Sequence, residues 1–114
     1  MARVGVDLVE VERIKAIYER RGERFLDRLF TGVEITYAFS ARGDRRFERL
    51  AARFAIKEAL IKAVGRPLPY RSIEVRNQKN GRPIVHCPHV HGKIEASLSH
   101  TRRLASACIL FEDH

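Results

Sequence analysis

The middle of the chain constrains the fold most, because the hydrophobic period changes there. Between residues 47 and 64 the apolar side chains Phe47, Leu50, Ala51, Phe54, Ile61 and Val64 fall on one helical stripe. Gly65 follows, where a glycine ends such helices. The next stretch, Arg66-Pro67-Leu68-Pro69-Tyr70, reads as a loop, since proline lacks an amide donor and turns its predecessor away from helical angles. Beyond it the period is two. Ile73, Val75 and Asn77 alternate with Glu74 and Arg76, Asn80-Gly81 is a hairpin-turn signal, and Pro83 to His86 reads as the return strand.

The flanks extend this pattern. Residues 2 to 7 read as a short strand with Val4 and Val6 on one face. Asp7 followed by Glu10 has the form of a helix start, and apolar residues at 14, 17, 18 and 25 then recur at helical spacing, with Leu29 closing the stripe. Gly22 weakens the middle of that segment. Thr31 and Glu34 have the spacing of a capping box, and Gly43-Asp44 offers a turn and a further cap. Residues 94–98 and 104–111 read as a second strand pair turned around 99–103, with a helix over 90–97 as the alternative for the first of them. The order β, α, α, α and then strands predicts an α+β fold, helices packed on a small antiparallel sheet. No repeat or linker divides the chain, so a single domain is expected over residues 1–114.

Charge narrows the partners without naming one. The 114 residues carry 22 Lys and Arg against 14 Asp and Glu, a net charge of +8 that suits nucleic acid, an anionic small molecule or an acidic protein. A hydrophobic content of 45% argues against disorder. No apolar run approaches the ~18 residues of a membrane span. Carboxylates interrupt Val6-Asp7-Leu8-Val9-Glu10-Val11-Glu12, so no secretory leader is expected and the protein is placed in the cytoplasm. Cys87 and Cys108 lie outside any C-x-x-C and read as reduced thiols. His86-Cys87-Pro88-His89-Val90-His91 has the look of a metal cluster, but no second cluster completes it at a zinc-finger spacing. A shared strand face for His89 and His91 is the geometry such a cluster needs, and solvated histidines at a strand end are the preferred reading.

Two carboxylates stand out. Glu58 follows Phe54 by four residues and precedes Ile61 by three, so it borders or enters the apolar face of its helix. A charge there is costly unless it reaches solvent or meets a cation, either a buried Arg or a divalent metal. Lys57 points about 100° away around the helix and is a poor partner. Asp7, at a strand end, is either a helix cap or a site residue. Two hard oxygen ligands joined by phosphate oxygens suit Mg²⁺, which usually takes only one or two protein carboxylates.

Taken together, the segments resemble a family. Gly5-Val6-Asp7-Leu8-Val9-Glu10-Val11-Glu12-Arg13, Phe30-Thr31-Gly32-Val33-Glu34, Arg53-Phe54-Ala55-Ile56-Lys57-Glu58-Ala59 with Lys62-Ala63, Asn80-Gly81-Arg82-Pro83 and Ser97-Leu98-Ser99-His100-Thr101 are similar, in family order, to the motifs of the holo-(acyl-carrier-protein) synthases. These are the small 4′-phosphopantetheinyl transferases. The resemblance implies transfer of the phosphopantetheine arm of coenzyme A to a serine of apo acyl carrier protein, releasing adenosine 3′,5′-bisphosphate and supporting fatty acid biosynthesis.

It also implies roles. Asp7 and Glu58 are expected to hold Mg²⁺ against the pyrophosphate. Lys57 is expected to supply positive charge to the phosphates or leaving group, with Lys62 helping from the next turn; a salt bridge from Lys62 to Glu58 is its plainer reading. Asp7, Lys57, Glu58 and His100 make up the expected catalytic set. Phe54, Ser99, His100 and Thr101 are placed beside coenzyme A. So are Asn80, Gly81, Arg82 and Pro83, with Arg82 as a fork for the 3′-phosphate. Against these stand an ordinary loop histidine and a plain hairpin with a solvated arginine. Arg13, Arg20 and Arg24 come round to one side of their helix and are expected to dock the acidic carrier.

The resemblance further implies a homotrimer with sites between subunits. The stretch from Gly65 to Ser72 is shorter than usual in the family, and Arg102 and Arg103 stand where acidic or small residues are common. A nucleic-acid-binding protein is the rival reading. It rests on charge alone, without a helix-turn-helix spacing, paired aromatics or a basic tail, so no nucleic acid is expected.

Overall fold

The computed structural model describes residues 1–113. Nine strands and helices follow in the order β1 (Ala2–Glu10), α1 (Val11–Arg21), α2 (Glu23–Leu29), α3 (Gly32–Phe39), α4 (Arg45–Val64), β2 (Glu74–Asn77), β3 (Pro83–His86), β4 (Gly92–His100) and β5 (Leu104–Asp113), with a 3₁₀ turn at Tyr70–Ser72. The fold is α+β, as expected. None of these helices is long and apolar enough to cross a membrane.

β5 is the centre of an antiparallel sheet ordered β1-β5-β4, and β2 and β3 form a separate hairpin. Its inward side chains Ala105, Ala107, Ile109 and Phe111 are buried. α4 lies across that inner face and is buried on most of its circumference, which a single apolar stripe does not reveal. Small residues permit the close packing. A Cβ on Gly5 would fall 1.9 Å from the carbonyl oxygen of Ala59, so only glycine lets β1 approach α4 this closely.

Several expectations are revised. β1 continues to Glu10, so Asp7 is a strand residue and no helix begins at it. The strand persists because it pairs residue by residue with β5, Asp7 opposite Ala107 and Glu10 opposite Leu104. The segment read as one weakened helix is two, broken at Gly22, whose φ of 60° is the left-handed region that favours glycine. Residues 92–100 are strand, which removes the helical alternative. Asp44 makes no side-chain cap bond to α4 and instead pairs with Lys15. The Thr31–Glu34 capping box and the end of α4 at Gly65 stand as read.

The outer face of the sheet is apolar and uncovered. Val4, Val6 and Leu8 of β1, with Leu104 and Leu110 of β5, are all exposed.

Candidate active site

The contact at Gly5 places the carboxylates. Two residues further along β1, Asp7 faces the same inner side and meets the last turns of α4. There Lys62 donates to Asp7 Oδ1 and to the Val6 carbonyl, both at 3.0 Å. The plainer pairing of Lys62 with Glu58 is therefore not made. Glu58 lies one turn earlier on α4, half-buried, and its Oε1 accepts a 2.7 Å bond from the Tyr70 hydroxyl. That bond, then burial, then the charges of Glu58 and Asp7 push the Tyr70 phenol up to about 12. One phenol feels both carboxylates, and it remains a proton donor to Glu58 at neutral pH.

Each carboxylate thus has one partnered oxygen. Among the described residues no hydrogen bond engages Asp7 Oδ2 or Glu58 Oε2. Two hard oxygens, with no third carboxylate, histidine or cysteine grouped with them among the described residues, fit an ion that completes its shell from substrate and water.

Lys57 takes a different place from the one expected. Its ammonium is fully buried and donates to Glu34 Oε1 and the Leu29 carbonyl, both at 2.7 Å, and to the Tyr70 carbonyl at 3.0 Å. All three donors are used inside the protein, so none points to a phosphate in a cleft. Burial pushes the ammonium below its ordinary range, against the pull of the Glu34 carboxylate. Glu34 in turn accepts from the backbone of Thr31 and Val75, at 2.9 and 2.8 Å. The capping box was legible; the junction of α2, α3, α4 and β2 built on the same side chain was not.

The other coenzyme A residues lie elsewhere in the chain. His100 sits 3.2 Å from Glu48, ten residues before Glu58 and roughly 15 Å away along the helix axis. In the β2–β3 turn Asn80 accepts from the Arg82 backbone, Gly81 has φ 86°, and the Arg82 side chain bridges to Glu95. Pro83 opens β3, Ser99 is an exposed residue of β4, and Thr101 caps the β4–β5 turn by accepting from Arg103 and Leu104. Phe54 is the exception: its ring packs on Tyr70 at 5.6 Å, one turn from Glu58. One chain therefore joins Asp7, Glu58, Lys62 and Phe54, and holds His100 and the hairpin apart from them.

The histidine-rich segment also differs from its reading. His86 ends β3, but His89 and His91 lie outside any strand, in the connection to β4, so they share no strand face. Cys87 is buried against the Ser72 hydroxyl.

Two clefts flank Tyr70. One, of about 460 Å³, is lined by Glu58, Arg66 and Leu68. The other, of about 820 Å³, is lined by Arg20, Arg21, Arg24 and Arg28 over Phe25 and Leu29. None of the acidic residues of α1 and α2 lines it. Arg20 of α1 and Arg24 of α2 are thus together across the break at Gly22, with Arg21 and Arg28 beside them. Arg13 stands one turn before Ile17, another lining residue, on the same side of α1. Tyr70 lines both clefts. Its place had no signal in the sequence beyond a loop between prolines and a strand.

Comparison with known proteins bears on this geometry. Residues 3–109 match the family model of the 4′-phosphopantetheinyl transferase superfamily. A holo-(acyl-carrier-protein) synthase of Thermodesulfovibrio yellowstonii is 50% identical over 109 residues, covering 94% of this chain and 95% of the relative. The synthase of Chlorobaculum parvum is 42% identical, with 96% and 97% covered. A crystal structure of a holo-(acyl-carrier-protein) synthase from Bacillus anthracis in complex with CoA (3′,5′-ADP) superposes with a TM-score of 0.88 at 33% identity, covering 98% of this chain and 96% of that one.

Proposed function

This chain belongs to the 4′-phosphopantetheinyl transferase superfamily and, within it, to the holo-(acyl-carrier-protein) synthases, and from that premise we propose how its geometry carries the reaction. The reaction moves the 4′-phosphopantetheine arm of coenzyme A to a serine hydroxyl of apo acyl carrier protein, in service of fatty acid biosynthesis. The serine oxygen forms a bond to the β-phosphorus, and the bond from that phosphorus to the departing adenosine 3′,5′-bisphosphate breaks.

Asp7 and Glu58 would hold Mg²⁺ through their unpartnered oxygens. When bound, the ion supplies charge neutralisation to the pyrophosphate during in-line attack. Lys62, its side chain 56% exposed, brings a second positive charge to the same place and can turn from Asp7 toward a phosphate oxygen. The arginine cleft on the far side of Tyr70 receives the acidic carrier, with Arg13, Arg20 and Arg24 oriented toward it. The net charge of +8 then answers two anionic substrates, and nucleic acid is not required to account for it.

The apolar outer face of β1 and β5 supports a homotrimer, because exposed Val4, Val6, Leu8 and Leu110 together ask for a covering surface. In such an assembly His100, Ser99, Thr101 and the turn at Asn80-Gly81-Arg82-Pro83 complete a neighbour's site for coenzyme A, which accounts for their distance from Glu58 within one chain. We place the enzyme in the cytoplasm, a compartment that suits its unpaired Cys87 and Cys108, as a single catalytic domain.

The observation that carries this reading is the pairing of Asp7 with Lys62 and of Glu58 with Tyr70, the residue that lines both clefts and feels the charge of both carboxylates. The test is transfer of phosphopantetheine from coenzyme A to apo carrier protein, with and without Mg²⁺. Asp7→Ala and Glu58→Ala are each expected to abolish transfer while circular dichroism and mass in solution stay as in the wild type. Near-normal rates in both variants would refute the metal assignment.

A further inference from the structure

Tyr70 is tied to the site at both ends. Its hydroxyl donates to Glu58 Oε1 at 2.7 Å, and its carbonyl accepts from the buried Lys57 ammonium at 3.0 Å. Lys57 is itself fixed by Glu34, which also accepts from the backbone of Thr31, the N-cap of its own helix, and of Val75 in β2. The ring rests on Phe54 of α4, so the hydroxyl is aimed as well as anchored. Glu58, by contrast, is a half-exposed side chain with three rotatable bonds, and among the described residues the Tyr70 hydroxyl is its only hydrogen-bond partner. Among the described residues no other hydrogen bond fixes the Glu58 carboxylate.

We propose that Tyr70 is a positioning residue: it holds Glu58 in the orientation that leaves Oε2 open toward Asp7 for a divalent cation, and the Lys57–Glu34 pair fixes Tyr70 for that task. The inference rests on the function proposed above and goes further, since it assigns a role to the cleft-wall residue Tyr70 and to a buried ion pair that the proposed chemistry does not use. Partners that orient a metal-binding carboxylate affect metal affinity or activity by about 10- to 100-fold when removed. The Tyr70 bond is one such partner for one of two carboxylates, so the lower end of that range applies.

The test is Tyr70→Phe, which keeps the ring against Phe54 and removes only the hydroxyl. Mn²⁺ serves as the probe, its binding followed by electron paramagnetic resonance on the whole protein in the presence of coenzyme A, without turnover. Thermal melting and the Mn²⁺ dependence of transfer are measured beside it. The expected result is Mn²⁺ affinity about tenfold weaker, an equal shift in the metal concentration needed for half-maximal transfer, and a melting temperature close to that of wild type. Unchanged Mn²⁺ affinity overturns the proposal. Weaker affinity with a large drop in melting temperature also overturns it, because general loosening then explains the loss. A wild-type protein that neither binds Mn²⁺ nor transfers the group refutes the functional reading, and this inference with it. A wild type that does both, matched by Tyr70→Phe, refutes this inference alone.

Discussion

Lys57→Met separates two roles that one motif position could play. The substitution keeps the length and apolar stem of the side chain and removes its charge and donors. Glu34 then stays buried with two backbone donors and no cation, and the carbonyls of Leu29 and Tyr70 each lose a bond. Removing one partner of a buried pair costs about 3–5 kcal/mol, because the other charge is left uncompensated. For a domain near this size that corresponds to a fall in melting temperature of roughly 12–20 °C. It is a large part of the ~5–15 kcal/mol that holds an ordinary domain together. The assay is urea denaturation at one fixed protein concentration, since assembly and folding are linked, together with transfer rates at a temperature where the variant remains folded. Replacing both partners, Glu34→Leu with Lys57→Met, should recover only part of the loss, since Thr31 and Val75 still lose an acceptor. A loss below about 1 kcal/mol combined with collapsed turnover would refute the reasoning. That result would mean Lys57 acts on the phosphates.

Three further outcomes follow from the packing. Gly5→Ala drives a Cβ to 1.9 Å from the Ala59 oxygen, so stability should fall by about 1–3 kcal/mol or more, with transfer falling as Asp7 moves from Lys62; a melt and a rate equal to wild type would show that β1 and α4 do not touch there. Val6→Asp alters a side chain that is 56% exposed in the single chain, where a surface change moves stability by less than about 0.5 kcal/mol. In the proposed trimer it should break assembly and transfer together, and light scattering that returns the wild-type mass would refute the covered-face assignment. Arg24→Glu should raise KM for the carrier and weaken its salt dependence while kcat and the KM for coenzyme A hold steady; an unchanged carrier KM removes the arginine cleft as the docking surface.

What could be read from the sequence is what a local period or turn writes into it. The α4 stripe, its stop at Gly65, the Thr31–Glu34 box and the Asn80-Gly81 turn all depend on near neighbours, and the structure has each where it was read. The readings that failed depend on partners far along the chain. Asp7 to Glu10 has a helix-start spacing, yet it is strand because residues 104–107 lie opposite it. Helical periodicity gives the direction of Lys57 and not its depth, and on a helix buried from several sides a lysine pointing away from the main stripe still reaches no solvent. Asp7 and Glu58 were connected by resemblance, and the contact that joins them, Gly5 on Ala59, has no local signature. Tyr70 depends on a loop that turns back twelve residues to reach Glu58. Lys57 and Tyr70 therefore exchange their apparent ranks: the lysine inside the motif acts on the site through the backbone of the tyrosine outside it. A variant survey guided by the motif alone would assign the loss in Lys57→Met to chemistry, and only the stability measurement tells the two causes apart.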